Sequence, residues 1–263
     1  MTLFKRPRIA TVDANAVVTE ARRLLATRVA AGDRRAFLSR TLTLGGVAML
    51  AGCDITDNQS VNTALTRISS FNDRVQLWLF DPTRLAPTYA ASLITQPFPF
   101  NAYYGENEVR VVDGDTWRLE MTGLVTDKHP WTLAELNALP QQEQITRHIC
   151  VEGWSAIGRW GGVRFSDFLK RVGADTTAKY IGFKCADDYH TSIDMATALH
   201  PQTTLALTYD GQTLPPKYGY PTKLRMPTKL GYKNPKHIQA IYVTNTYPGG
   251  YWEDQGYNWF GGS

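Results

Sequence analysis

Arg147-His148-Ile149-Cys150-Val151-Glu152-Gly153-Trp154-Ser155, continued by Trp160-Gly161-Gly162, is the stretch on which the reading turns. Residues 145 to 151 alternate as a β-strand. Thr146, His148 and Cys150 fall on one side, and Ile145, Ile149 and Val151 on the other. Arg147 shares the apolar side by parity. The apolar side can anchor in a core while the thiol points into a cleft, and Gly153 lets the backbone turn sharply after it. A thiolate is a soft donor suited to a thiophilic metal, and it must lose its proton to bind. A lone cysteine after a strand also reads as a small buried apolar residue. Trp154 and Trp160 read either as core or as walls of a site.

Composition bounds the answer loosely. The 263 residues allow one large domain or two small ones, and 43% apolar content is ordinary for a globular chain. The formal charge is +4, much of it before residue 41, so nucleic acid is not an expected partner. The three cysteines, Cys53, Cys150 and Cys185, form no C-x-x-C pair. That argues against a zinc ribbon, a thioredoxin-type dithiol and a covalently attached haem.

The first 53 residues read as an address. Arg34-Arg35 is followed by Ala36-Phe37-Leu38, and Thr41 to Cys53 carries no charge. The apolar run is shorter than the about 20 residues that span a bilayer and has the flanks of a signal-peptide core. It resembles a twin-arginine signal, and Leu50-Ala51-Gly52-Cys53 resembles a lipoprotein box that would make Cys53 a lipid anchor. The expected location is periplasmic, by the export route that carries folded proteins. Residues 54–100 are expected to be a linker and packing segment, with a packing helix over 67–80 on Ile68, Phe71, Val75 and Leu79.

From residue 101 onward the elements are short and mixed. Asp113-Gly114-Asp115, between alternating runs, predicts a hairpin over 109–125. Thr132 to Glu135 is a capping box opening a short helix. A helix is expected over 165–172 with Gly173 as its cap, then a strand over 179–185. A short helix over 194–199 comes next, followed by strands over 204–209 and 237–244. Asp187-Asp188-Tyr189-His190 follows a strand, where loops often hold substrate-contacting groups; the two aspartates also read as a solvated turn. The aromatic, Gly-rich tail from Tyr247 to Ser263 reads as a packed lid or a docking surface.

Leu214 to His237 is the second chemical stretch. It holds Lys217, Lys223, Arg225, Lys229, Lys233 and Lys236 with no acidic residue among them, and prolines stiffen it. A charge run is usually a solvated face. A rigid basic loop also suits a phosphate group, which cations neutralise and arginine can grip bidentately.

The motif R-x-x-C-V-E-G-W-S with a second Trp six residues on, and the run L-P-P-x-x-G-x-P-x-x-L-R at 214–225, resemble the sulfite-oxidase family of molybdenum enzymes. The exported bacterial members are the most similar, and the resemblance covers about residues 100 to 260. It implies an α+β fold with mixed sheets and short helices, the molybdopterin-binding fold, occupying 101–263. It implies that Cys150 supplies a sulfur ligand to molybdenum, with Arg147 and His148 beside it as candidate catalytic cations. It implies cofactor contacts at Asn101, Tyr104, Gly105, Cys185, Tyr218, Lys223, Asn234, Pro235 and Lys236. Arg225 takes part of the role of an arginine that relatives carry where Lys223 stands. Relatives have an amide where Tyr218 stands and a hydroxyl residue where Cys185 stands, so those two positions depart from the pattern.

The function implied is two-electron oxygen-atom transfer on a sulfite- or sulfoxide-like substrate, such as methionine sulfoxide. The protein would be a monomer exchanging electrons with a separate cytochrome or membrane haem protein. The alternative is a redox-inactive, lipid-anchored periplasmic binding protein in which Cys150 and Cys185 form a disulfide.

Overall fold

The computed structural model describes residues 59–263, with side chains from residue 68 onward. The twin-arginine pair, the apolar run and Cys53 lie outside the described residues. Ser69–Ser263 forms one compact unit. Among the described residues no helix is long and apolar enough to cross a membrane.

The first helix, α1, spans Gln59–Leu79. Asp81 ends it by accepting hydrogen bonds from the Thr83 backbone and hydroxyl. The expected packing stripe is not what docks this helix: Phe71 and Leu79 are exposed. Polar and terminal groups do the docking. Asp73 accepts from Asn258 Nδ2 and from the Phe260 backbone, at 2.7 and 2.9 Å. Phe80, just past the helix, sets its ring edge-on to Phe260.

The predicted hairpin over 109–125 does not form. Asp113 caps its own turn, accepting at Oδ1 from the Asp115 backbone and at its carbonyl from the Trp117 backbone. That geometry launches a single strand. Trp117, Leu119 and Met121 alternate into the core while Val111, on the other arm, is exposed. The strand β1 (Glu120–Gly123) finds its partner far away in sequence, β9 (Ile238–Thr244), in parallel register.

The other expected elements are present. Helix α2 (Leu133–Ala138) opens on a complete capping box between Thr132 and Glu135. Strand β2 (Gln141–Ile149) turns into β3 (Ser155–Arg164), and α3 (Phe165–Arg171) buries Phe165, Phe168 and Leu169. Then come β4 (Tyr180–Cys185), β5 (His190–Asp194), α4 (Met195–Leu199), β6 (Thr204–Tyr209), β7 (Gln212–Thr213) and β8 (Lys223–Arg225).

They build two sheets. One runs β1-β9-β4-β5; the other runs β2-β3-β6-β7, with β8 also on β6. The β1–β9 pair is parallel and the other pairs are antiparallel. This is the mixed α+β architecture expected. One core joins the sheets: Ile181, Phe183 and Ile241 from the first meet Val163, Leu205 and Leu224 from the second, with α3 packed among them.

Trp160-Gly161-Gly162 acquires a structural meaning here. The β3–β6 register slips between Gly161 and Gly162. A Cβ at Gly162 would sit 1.9 Å from the Leu205 carbonyl, so the close approach needs glycine. A second, smaller cluster gathers Trp160, Phe98, Tyr209 and Tyr218 behind this bulge.

Candidate active site

Strand β2 delivers Cys150 as its parity requires. Thr146, His148 and Cys150 are buried on one face. The Cys150 backbone donates to the Trp154 carbonyl, and Gly153, at φ 93°, donates back to the Cys150 carbonyl. The thiol is thus presented on a tight five-residue turn between two strands. It opens into a cleft of about 660 Å³.

Cys150 is free, and so is Cys185. The disulfide of the alternative reading is not formed. Asn101 Nδ2 donates to Cys150 Sγ at 3.2 Å. Glu152 Oε2 lies 3.6 Å from the same sulfur and accepts from Trp154 Nε1 at 2.9 Å. Burial pushes the Cys150 thiol up from its ordinary value and the Glu152 carboxylate adds to that, while the Glu152 backbone N–H and Asn101 pull the other way. The sulfur therefore has two donors already aimed at its anionic form, and needs a cation to complete it.

Among the sequence-predicted cofactor residues, Asn101, Asn234, Pro235 and Lys236 line this cleft with Cys150. Asn234 is held rigidly: its Oδ1 accepts from Arg225 and from the Met226 backbone, and its Nδ2 donates to the Leu230 carbonyl. Tyr104 stands just behind, donating its hydroxyl to Asp187 Oδ2 at 2.8 Å. The Gly105 backbone donates to Glu108.

Arg147 requires a correction. It is exposed and lines a separate groove with Arg84, Leu85 and Ile149, on the opposite face of β2 from Cys150. Strand parity wins over nearness in sequence. Arg225 is also placed differently from expectation. It is fully buried and donates to Thr146 Oγ1 and to the Arg147 carbonyl, so it braces the strand that carries Cys150 instead of lining the cleft. Tyr218 donates its hydroxyl to the Phe98 carbonyl inside the aromatic cluster. Cys185 ends β4 in the core, its thiol pushed well up by burial.

The basic run separates into two groups. Lys229 and Lys233 are buried against Asp194 and Glu253. Lys223 and Lys236 are buried and act on His148, and neither has such an ion pair among the described residues. Lys223 Nζ lies over the Trp160 ring at 4.8 Å, and Lys236 Nζ over the Phe100 ring at 4.5 Å. Burial pulls Lys223 well below its ordinary value, and Lys236 and Arg225 pull it further. Burial drives the His148 ring down as well, so it is neutral, and both its nitrogens are buried without a hydrogen-bond partner. His237 Nε2 and Trp160 Nε1 are unpartnered too. A buried cluster of cations and spare polar atoms is costly by itself. It becomes favourable when a polar anion supplies the missing acceptors.

Gly231 forms part of the cleft wall. A Cβ there would meet His148 Nε2 at 2.7 Å and Asn101 Nδ2 at 3.4 Å. The space beside the thiol and the imidazole is therefore kept clear by a missing side chain. Gly231→Ala is expected to reduce bound cofactor at least about fivefold, roughly 1 kcal/mol of binding. Pterin released from purified protein by acid and read by fluorescence checks it. Gly231 is not one of the positive-φ glycines, so the clash with the buried His148 ring is the change made, and thermal stability measured on the same sample separates lost cofactor from a lost fold.

Lys236 provides a pH test. Burial brings it from 10.5 down to about 8, with Asp187 opposing. The unfolded chain then holds more protons than the folded one between about pH 8 and 10.5, so stability rises with pH across that window. Cofactor-free wild type should gain thermal stability from pH 8 to 10 relative to Lys236→Met. A flat difference between the two would mean that Lys236 is solvated.

Among the described residues no three His, Cys, Asp or Glu side chains converge as a metal site. A metal at Cys150 would thus need its remaining donors from an organic carrier. The anion-seeking pocket beside the thiol suits a carrier that ends in a phosphate.

The family model for the oxidoreductase molybdopterin binding domain matches residues 106–252. The chain belongs to that family. It is a molybdopterin-dependent oxidoreductase of the sulfite-oxidase type, and the donor set around Cys150 fits the cofactor. It is 72% identical over 230 residues to the putative protein-methionine-sulfoxide reductase subunit YedZ1 of Azospira oryzae, covering 88% of each chain. It is 31% identical over 154 residues to the protein-methionine-sulfoxide reductase catalytic subunit of Xanthomonas campestris. That match covers 52% of this chain and 48% of the relative, so this chain spans about half of that protein's length. The sulfane dehydrogenase SoxCD of Paracoccus pantotrophus matches with a TM-score of 0.49 at 19% identity, over 52% of this chain and 40% of that one.

Several cleft residues were not assigned from sequence. Asp187, read as a solvated turn, lines the cleft and anchors Tyr104 and, through its carbonyl, Tyr103. Tyr189, Tyr232, Trp252 and Tyr257 line it as well. The signal that could have found the last two is their density of aromatics among glycines, which the lid reading noticed without naming residues.

Proposed function

We propose that this protein is an exported sulfoxide reductase that converts a methionine sulfoxide to its thioether. The balance is sulfoxide plus two electrons and two protons giving thioether and water. A free cysteine thiol in a cleft whose lining combines amide and charged side chains with aromatic rings carries this reading. An inorganic oxyanion would gain little from the rings, whereas a methyl-bearing sulfoxide uses both kinds of lining. The methionine-sulfoxide reductases among its relatives point the same way.

Cys150 would hold the molybdenum, and Asn101, Asn234, Lys236 and Lys223 would hold the pterin and its phosphate. The cofactor supplies the two-electron chemistry when bound. The chain's own part is to orient the cofactor, to keep the reacting centre dry and to present the sulfur. Asn101 holds the Cys150 sulfur from one side. His148, neutral and buried, offers hydrogen-bonding nitrogens without adding charge. Electrons come from a separate cytochrome or membrane haem protein, and the protein works in the periplasm as a monomer. Arg34-Arg35 directs export, and Cys53 is the point of a lipid anchor.

Steady-state assays of the loaded enzyme decide between the two directions. With a reduced dye, methionine sulfoxide should be turned over at least about 100-fold more efficiently than sulfite is oxidised with an oxidised acceptor, about 2.7 kcal/mol in transition-state terms. The reverse preference rejects the sulfoxide reading. Fractionation of cells carrying Arg34→Lys with Arg35→Lys tests export, and the mass of the mature N-terminus tests lipidation.

A further inference from the structure

The cleft has an aromatic wall drawn from the tail, residues 251–257. The 3-10 turn Glu253–Gln255 holds Trp252 and Tyr257 in the lining of the same cleft as Cys150, their ring centroids 4.9 Å apart. Tyr251 continues the belt, 5.2 Å from Trp252 and 4.6 Å from Tyr103.

Three other tyrosines of the lining have their hydroxyls committed. Tyr103 donates to the Asp187 carbonyl, Tyr189 to the Tyr232 carbonyl and Tyr232 to the Asn258 carbonyl. What these three leave for the cleft is ring surface. Trp252 and Tyr257 add their rings to the same lining, in one cleft with Cys150, Asn101 and Lys236.

The wall is fastened at its base. Lys233 Nζ pairs with Glu253 where both side chains are buried, and Thr191 Oγ1 donates to Glu253 at 2.7 Å. Tyr251 donates its backbone N–H to the His190 carbonyl. Lys233 closes the same short turn that brings Gly231 and Tyr232 to the cleft. One buried ion pair thus joins the cofactor side to the aromatic side.

We propose that Trp252 and Tyr257 form the specificity wall of this enzyme, receiving the S-methyl end of a methionine sulfoxide, and that Lys233–Glu253 sets their distance from Cys150. Sulfur and methyl groups pack favourably on aromatic rings. A thioether product keeps those contacts, and an inorganic anion has none to make. The proposal rests on the sulfoxide reading above and goes further by naming the residues that select the substrate.

The test uses the loaded enzyme and a blocked methionine sulfoxide, N-acetyl methionine sulfoxide amide. Trp252→Ala should raise KM about tenfold, the worth of one lost aromatic–sulfur contact with its buried area, and leave kcat within about threefold. Trp252→Phe should recover most of the loss. Molybdenum content should equal that of wild type in both. Glu253→Gln should shift KM in the same direction, because Lys233 loses its counter-charge and the turn loosens. Titration of the oxidised enzyme with the same compound, read by tryptophan fluorescence, should show the KM change as a change in Kd.

An unchanged KM in Trp252→Ala overturns the proposal. So does a loss of molybdenum that accounts for the lost activity, since Trp252 would then only support the fold. Failure of the wild type to reduce the compound at all rejects the sulfoxide reading instead, which separates the two.

Discussion

Cys150→Ser should abolish turnover, to less than about one-thousandth of wild type, a loss of at least ~4 kcal/mol. The fold should survive, because serine is smaller and Asn101 Nδ2, now 3.2 Å from the sulfur, can donate to a hydroxyl as well. The loss is chemical. A hydroxyl does not ionise near neutral pH and is a hard donor, whereas a thiolate is soft and strongly electron-releasing. Burial already holds the Cys150 thiol above its ordinary value. Loading must therefore release a proton from it, and loading of cofactor-free wild type should accelerate as pH rises. Cys150→Ser should lack that dependence. Activity, bound pterin and thermal stability measured on the same sample separate a dead site from a collapsed one.

Lys223→Met should move stability and cofactor content in opposite directions. Lys223 is buried beside Lys236 and Arg225, and among the described residues no acidic group pairs with it. Its charge costs the cofactor-free protein stability. Removing it should raise that protein's melting temperature by about 2–4 °C, on the order of 1 kcal/mol. The same change should cut retained cofactor at least about tenfold, roughly 1.4 kcal/mol, because a phosphate loses a buried counter-ion. A merely structural lysine would do neither. Loss of both stability and cofactor would show that its stem packs Trp160 and its charge holds no ligand. Lys229→Met gives the contrast: Lys229 is pulled down to about 7 by burial but supported by Asp194. Its loss leaves Asp194 without its partner and should destabilise.

The sequence was most informative where periodicity was clean. Alternation over 145–151 put Thr146, His148 and Cys150 on one buried face, and they are there. The same alternation already put Arg147 on the opposite face; proximity and family likeness argued it back toward the thiol, and geometry did not follow. Asp113-Gly114-Asp115 looked like a hairpin because turn chemistry is local. The strand after it pairs with β9, more than a hundred residues on, which no local signal reports.

The basic run from 214 to 237 was legible as a loop with a purpose but not as two groups. Which lysines lack a counter-ion depends on Asp194 and Glu253, both outside the run. The helix near residue 70 showed the right period and the wrong face. Its apolar stripe is exposed, and a single aspartate, Asp73, ties it to the tail. The tail was legible as a lid, but which of its residues line the cleft was not, for a simple reason. Trp252 and Tyr257 stand in irregular chain, where spacing carries no face.

The most direct measurement is molybdenum per chain in wild type and Cys150→Ser, with X-ray absorption at the molybdenum edge on whatever metal each retains. The prediction is about one molybdenum per wild-type chain, with one sulfur neighbour fewer in the variant. A folded wild type that takes up neither molybdenum nor pterin in cells able to make the cofactor, or an identical sulfur shell in both proteins, would contradict it.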